Sequence, residues 1–402
     1  MATITGYAIF YFVRGNLPMA MPAMIKSLGM SKAQLGAILT LNGVLYGVAK
    51  LANGVIGDRS NARAMMVVGL VGSAVLNIFF GLSGSVLAFG AFWMINGWFQ
   101  GMGFPPCARL MTHWFSPKEL ARKMSIWNIS HQIGAGSIVV LCGYLVEHWG
   151  WRACFFVPGV LALLGAWFLW HKLPDTPPSV GLPEVEGTHM VSEVQTGAQL
   201  NAFLIRRVFL NKYVWLVAFS NFFVYTIRYT VFNWGPTMLT ESKHVRIVVA
   251  GCMLAGFEGF GALGGLVSGW MTDRYFGGRA MRTGVLFMAM AGVSVCLLWQ
   301  MPGRNEWVYL ALFCCVGFFI YGPQCLVSIA AANLATKRAA ATAVGLTSIF
   351  GYGSTVLSGW GVGALVDHYG WNAVFGCLLA VAGVGVVVFA ACWRAKADGY
   401  DD

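Results

Sequence analysis

The sequence predicts an all-α membrane protein, with twelve transmembrane helices in two pseudosymmetric six-helix bundles. Three observations carry that expectation. Of 402 residues, 58% are hydrophobic and only 10% charged, against about 25% charged in soluble domains. Apolar runs of roughly the 20 residues needed to cross a bilayer recur along the whole chain. The second half of the sequence repeats the first.

Hydropathy, punctuated by Gly, Pro and charge, places the spans near 2–24, 33–57, 64–86, 88–111, 122–146 and 153–172 in the first half. In the second half they fall near 212–237, 246–271, 282–302, 306–332, 339–365 and 371–393. The segment 173–211 between the sixth and seventh spans contains "LPDTPPSVGLPEVEGTHM", rich in Pro, Gly and acids. That composition suits a linker, giving bundles over 1–172 and 212–402.

Three segment pairs recur at nearly constant offset. "YFVR" (11–14) returns as "YTIR" (225–228), "GVIGDRSNAR" (54–63) as "GWMTDRYFGGR" (269–279), and "GYLVEHWGWRACFF" (143–156) as "GALVDHYGWNAVFG" (363–376). A duplicated six-helix unit around a central cavity is a transporter architecture.

Lys and Arg number 26 against 15 Asp and Glu. They are scattered singly between apolar spans, with no basic stripe, which excludes a nucleic-acid surface. With both termini in the cytoplasm, seventeen of the 26 lie on the cytoplasmic side and six outside, as the positive-inside rule requires. The first span lacks a basic n-region and a small-residue cleavage site, so no signal peptide is expected. It begins within a few residues of Met1, and a longer natural N-terminus is an expectation from that. The ten cysteines fall in or beside apolar spans without metal-ligand spacing and read as packing residues. No cofactor is expected. No nucleophile–base–acid set appears, so the chain does not read as an enzyme.

Three basic residues remain inside the spans: Arg14, Lys50 and Arg228. Tyr7, Tyr11 and Arg14 share one helix face, at spacings of four and three. Asn221, Tyr225 and Arg228 repeat that pattern. Such stripes should face the interior or a water-filled cavity. Among the acids only Glu258 sits well inside a span, so the buried charge is net positive and an anionic ligand should complete it. Arginine's planar fork suits carboxylate or phosphate, and one arginine from each half could clamp a phosphoryl group. Asn128 and His131 are one turn apart in "SIWNISHQIGAG", and a histidine there can tune anion affinity. Lys50 follows Tyr46 by one turn. "NGWFQGMGFPPCARL" (96–110) combines close-packing glycines with helix-bending prolines. Gln100 there, and Tyr321 in "GFFIYGPQC", could reach the cavity.

The Gly-x-x-x-Asp-Arg loops after the second and eighth spans resemble the signature of the major facilitator superfamily. There Asp58, Arg59, Arg63, Asp273, Arg274 and Arg279 would form a cytoplasmic gate. More narrowly, "GYAIFYFVR", "YGVAK", "GDRSNAR", "NGWFQGMGFPPC", "WNISHQIGAG", "VYTIRYTVFNWGPT", "IYGPQ" and "GLTSIFGYGS" resemble the superfamily's organophosphate:phosphate antiporters. The resemblance implies the major facilitator fold in a bacterial inner membrane, and exchange of an organophosphate for inorganic phosphate by alternating access. The expected partners are those small anions and the lipid bilayer, with the protein a monomer. By the same resemblance Arg14 and Arg228 bind phosphate, with Lys50 and His131 as accessory residues. Tyr7, Tyr11, Tyr46, Gln100, Asn128, Tyr225, Tyr229, Glu258, Tyr321 and Tyr352 line the cavity. The eleventh span carries no charge, which argues against a hexose phosphate, and the "WNISHQIGAG" run favours a small three-carbon phosphate. Two alternatives stay open: a transport-deficient sugar-phosphate receptor signalling to a membrane kinase, and a proton-linked organic anion carrier.

Overall fold

The first crossing is two helices rather than one. In the computed structural model, α1 (Ala2–Phe12) stops at Val13 and α2 (Leu17–Leu28) starts with Pro18 in its first turn. Proline has no N–H to leave unpaired at a helix start. The carbonyls freed by the break need donors, since the bilayer offers none. Three buried asparagines act there. Asn77 and Asn96 each donate to the Val13 carbonyl, at 3.1 and 3.0 Å, and Asn16 donates to Asn77 Oδ1 and to the Cys154 carbonyl, both at 2.8 Å. The continuous helix expected over 2–24 is thereby corrected, and Arg14 lies in the break.

The structure describes residues 1–183, 185, 203, 205–301, 305–335 and 339–395. The second and third crossings are α3 (Lys32–Arg59) and α4 (Ala62–Leu82). Ser31 and Gln34 cap the start of α3 reciprocally, and Asn61 caps α4. The fourth crossing breaks between α5 (Val86–Gln100) and α6 (Phe104–Trp114), beside the run Gly101, Gly103, Pro105 and Pro106. The fifth is α7 (Pro117–Asn128) followed by α8 (Ser130–Trp149), and the sixth is α9 (Ala153–Lys172).

The seventh to tenth crossings are the long helices α10 (Lys212–Ser242), α11 (Ile247–Phe276), α12 (Ala280–Gln300) and α13 (Glu306–Ala335). The eleventh is α14 (Ala340–Gly353) extended by a π-helical stretch, Val356–Gly361. Next, α15 (Val362–Ala391) runs through a kink at Gly370, whose φ of 77° suits glycine, and completes the twelfth. Among the described residues nine helices are long and apolar enough to span a membrane, and no strand occurs. One of the nine stretches, Thr342–Ala391, holds two crossings, and the broken first and fourth crossings bring the total to the expected twelve. Most of the linker expected over 173–211 lies outside the described residues.

One end of the helices carries most of the basic residues, such as Arg63 and Arg109, and the other, here the charge-poor end, carries fewer. At the charge-poor end the two halves of the chain meet closely. The Gly36 backbone lies against Gly359, and the Gly363 backbone against Lys32, leaving no room for a Cβ. Thr40 donates to the Thr355 carbonyl and accepts from the Trp360 N–H, both at 2.9 Å.

Two carboxylates seal this end, and they are repeat partners. Asp367 accepts from the first free N–H groups of α3, at Lys32 (3.3 Å) and Ala33 (2.8 Å). Its counterpart Glu147 accepts from Arg246, the residue preceding α11 in the other half. The pairing holds Arg246 above the ordinary arginine range. A carboxylate at a helix N-terminus meets orphan donors and the positive end of the dipole. Lys32 also pairs with Glu241 at 3.3 Å, and Trp371 donates to that carboxylate at 3.0 Å.

Candidate functional site

A closed-end cavity of about 170 Å³ lies between the halves, below this seal. α1 and the break after it supply Tyr7, Tyr11, Arg14 and Gly15, and α3 supplies Leu39, Asn42, Tyr46 and Lys50. Phe104 comes from α6, Asn128 from the end of α7 and His131 from the start of α8. The second half adds Tyr225, Arg228, Tyr229 and Asn233 from α10, Glu258 from α11, Gln324 from α13 and Tyr352 from α14. Twelve of the side chains singled out in the sequence thus share one cavity: Tyr7, Tyr11, Arg14, Tyr46, Lys50, Asn128, His131, Tyr225, Arg228, Tyr229, Glu258 and Tyr352.

Aromatic faces hold each cation. The Arg14 guanidinium lies 4.1 Å from the Tyr46 ring centre and 5.5 Å from Tyr11. Arg228 lies 4.6 Å from Tyr321, 5.5 Å from Tyr229 and 5.8 Å from Tyr225. The Lys50 ammonium sits 4.7 Å from Phe104 and 5.6 Å from Tyr352. Ring faces attract cations within about 6 Å. The ion pairs among the described residues are Lys32–Glu241, Arg109–Asp175 and Arg246–Glu147; none involves Arg14, Lys50 or Arg228. The buried Arg228 Nε has no hydrogen-bond acceptor. Three cations therefore face one cavity whose lining contains one carboxylate, Glu258.

Three expected residues sit elsewhere. Gln100 is buried in the first half and donates to Ser73 at 3.1 Å. The fourth crossing breaks immediately after it, so it does not reach the cavity. Tyr321 stands one layer back, stacked on Arg228 and 6.5 Å from the His131 ring. Asn221 turns away from the cavity and donates to the Thr347 carbonyl at 2.8 Å.

Sequence reasoning missed Asn42, Phe104, Asn233 and Gln324. Asn233 follows Tyr229 by one turn, and Gln324 follows Tyr321 by three residues; helical spacing was the available signal for both. The expected gate residues occupy the basic end. Arg63 stacks on Trp170 at 5.0 Å, Asp273 and Arg274 are exposed, and Arg279 is half-buried. The side chains of Asp58 and Arg59 lie outside the described residues.

The cavity approaches the basic end through a lateral crevice of about 900 Å³ between α3, α6 and α14. Lys50, Phe104 and Tyr352 line both spaces. Between them the Tyr46 and Tyr352 rings meet edge to face, 5.1 Å apart. Among the described residues, no group of three or more His, Cys, Asp or Glu is placed to hold a metal.

Residues 3–359 match the family model described as Major Facilitator Superfamily. The chain is 37% identical to a protein of Chlamydia pneumoniae named probable hexose phosphate transport protein, over 97% of this chain and 89% of that protein. It is 37% identical to the glycerol-3-phosphate transporter of Bacillus subtilis, over 97% and 90%. It is 36% identical to the membrane sensor protein UhpC of Escherichia coli, over 95% and 89%. Its fold is similar to the crystal structure of a bacterial homolog of the human lysosomal transporter Spinster, with a TM-score of 0.77 and 15% identity over 99% of this chain and 96% of that one.

Proposed function

We propose that this chain, which belongs to the Major Facilitator Superfamily, exchanges an organophosphate for inorganic phosphate across a bacterial inner membrane. One observation carries the reading: Arg14 and Arg228, from opposite halves, face one cavity with aromatic rings behind them and no described ion-pair partner. A buried cation without a counter-ion is costly, and a phosphate dianion supplies the missing charge with bidentate geometry. The relatives' names support phosphate esters as the cargo class.

With the basic end in the cytoplasm, the described state is closed to the outside and approached from within. The bundles 1–172 and 212–402 rock about the cavity. In the opposite state the helix ends that carry Asp58, Arg59, Arg63, Asp273 and Arg274, with Arg279 beside them, close the cytoplasmic end. Empty, two like charges resist closure; loaded, the dianion bridges them. Reorientation is then faster with cargo than without, which gives exchange rather than net flux. The protein acts as a monomer, since one chain supplies both arginines.

The test uses proteoliposomes loaded with labelled inorganic phosphate and challenged with external glycerol 3-phosphate or glucose 6-phosphate. The wild-type protein releases label. R14K and R228K keep charge but lose the fork, and release should slow roughly 10- to 100-fold. Release at wild-type rates in both variants overturns the clamp. The likeness to a membrane sensor favours a second reading, a receptor; it would bind phosphate esters in detergent yet release no label.

A further inference from the structure

Two buried acceptors in the cavity have no donor. Glu258 is 1% exposed and its Oε2 has no hydrogen-bond partner; Gln324 lines the same cavity and its buried Oε1 is likewise unpartnered. Such orphans are rare in folded proteins and each costs free energy. The cations nearby do not satisfy them, because no Lys or Arg of the cavity forms an ion pair with Glu258.

A fully ionised phosphoryl group brings acceptors only. It answers Arg14, Lys50 and Arg228 but leaves both orphan oxygens unanswered. Hydroxyl groups on the organic part of the cargo do answer them, since each O–H is a donor. A second carboxylate on the cargo does the opposite: it offers no donor and places like charge beside Glu258.

Resting on the phosphate-exchange reading above, we propose that Glu258 and Gln324 form the hydroxyl-reading part of the site. They select polyhydroxylated monophosphates and reject phosphates that carry a carboxylate. The two oxygens sit on different helices, α11 and α13, which are pressed together at Gly264 against the Phe318 carbonyl and at Gly317 against the Phe257 carbonyl. The Tyr321 hydroxyl on α13 lies beside Glu258, but it is a single donor and a carboxylate has sites for several.

Glycerol 3-phosphate and 3-phosphoglycerate make a close-matched test, because they differ mainly in a hydroxymethyl group against a carboxylate. Competition against labelled inorganic phosphate is measured on the purified full-length protein, so that a carrier and a receptor both give a signal. The wild-type protein should favour glycerol 3-phosphate roughly tenfold or more. E258Q keeps an acceptor oxygen but removes the charge, and should cut that preference to a few-fold by tightening 3-phosphoglycerate. Q324L should weaken glucose 6-phosphate relative to inorganic phosphate by about tenfold. If inorganic phosphate binds and competes normally while the two three-carbon esters bind alike, or both variants leave the ratios unmoved, the hydroxyl reader is wrong and the clamp stands. If inorganic phosphate and its esters fail to bind the wild-type protein, the exchange reading itself falls.

Discussion

Arg14 and Arg228 hold corresponding places in the repeat, yet the chain holds them by opposite means. Arg14 lies where α1 and α2 separate, and a polar stitch of Asn16, Asn77 and Asn96 closes the break. Arg228 lies in the middle of α10, an unbroken helix of 31 residues. Its support is lateral: Tyr321 on α13 stacks against it, and α13 is locked to α11 by glycine contacts. The repeat keeps the charge and the tyrosine three residues before it, Tyr11 and Tyr225, while the scaffold differs. Placement of a cation in a cavity is thus separable from the local backbone that presents it.

The comparison can be broken from either side. The largest expected effect is at Gly264, where an added Cβ meets the Phe318 carbonyl. Gly264→Ala should force α11 and α13 apart and destabilise the protein by about 3 kcal/mol, read as a lower unfolding midpoint in detergent. Unchanged stability would show that the lateral support of Arg228 is looser than described. Next comes Asn77→Ala, which removes one donor to the Val13 carbonyl and the acceptor for Asn16. A loss of about 1–2 kcal/mol is expected. Phosphate affinity should fall with it in the wild-type background but not in an R14A background, since the stitch acts through Arg14. Equal losses in both backgrounds would break the assignment. The smallest effect belongs to Tyr321→Leu, which strips the ring behind Arg228. Phosphate binding should weaken about tenfold, while Tyr321→Phe, which keeps the ring, should stay within about twofold of wild type. If phenylalanine fails as badly as leucine, the hydroxyl matters and not the face.

The sequence displayed the spans, the repeat and the polar stripes because period and hydropathy are local properties. The break at Arg14 also has local marks: Gly15, Asn16 and Pro18 are helix-stop and helix-start residues. Apolar runs on both sides make the two helices read as one span, and the donors that make the break tolerable come from Asn77 and Asn96, some 60 to 80 residues away. Gln100 shows the converse. Its helix and depth suited a cavity role, but a break just after it and the hydroxyl of Ser73 decide where it points. Gln324 was legible as a polar residue on an apolar helix, whereas its lack of a donor is a three-dimensional fact. So is the reciprocal capping by Glu147 and Asp367: the repeat marks them as partners, yet nothing local says that each reaches across to the other half.

The Tyr46–Tyr352 ring pair sets up an asymmetry in time. Toward the basic end the cavity is bounded by one ring edge set on one ring face, and side-chain rotation alone opens such a boundary. Toward the charge-poor end, opening requires backbone contacts at Gly36, Gly359 and Gly363 to part together with two carboxylate caps and an ion pair. Collective motions of that kind take microseconds to milliseconds. In the exchange cycle proposed above, the ring boundary would therefore open far more often than the backbone seal.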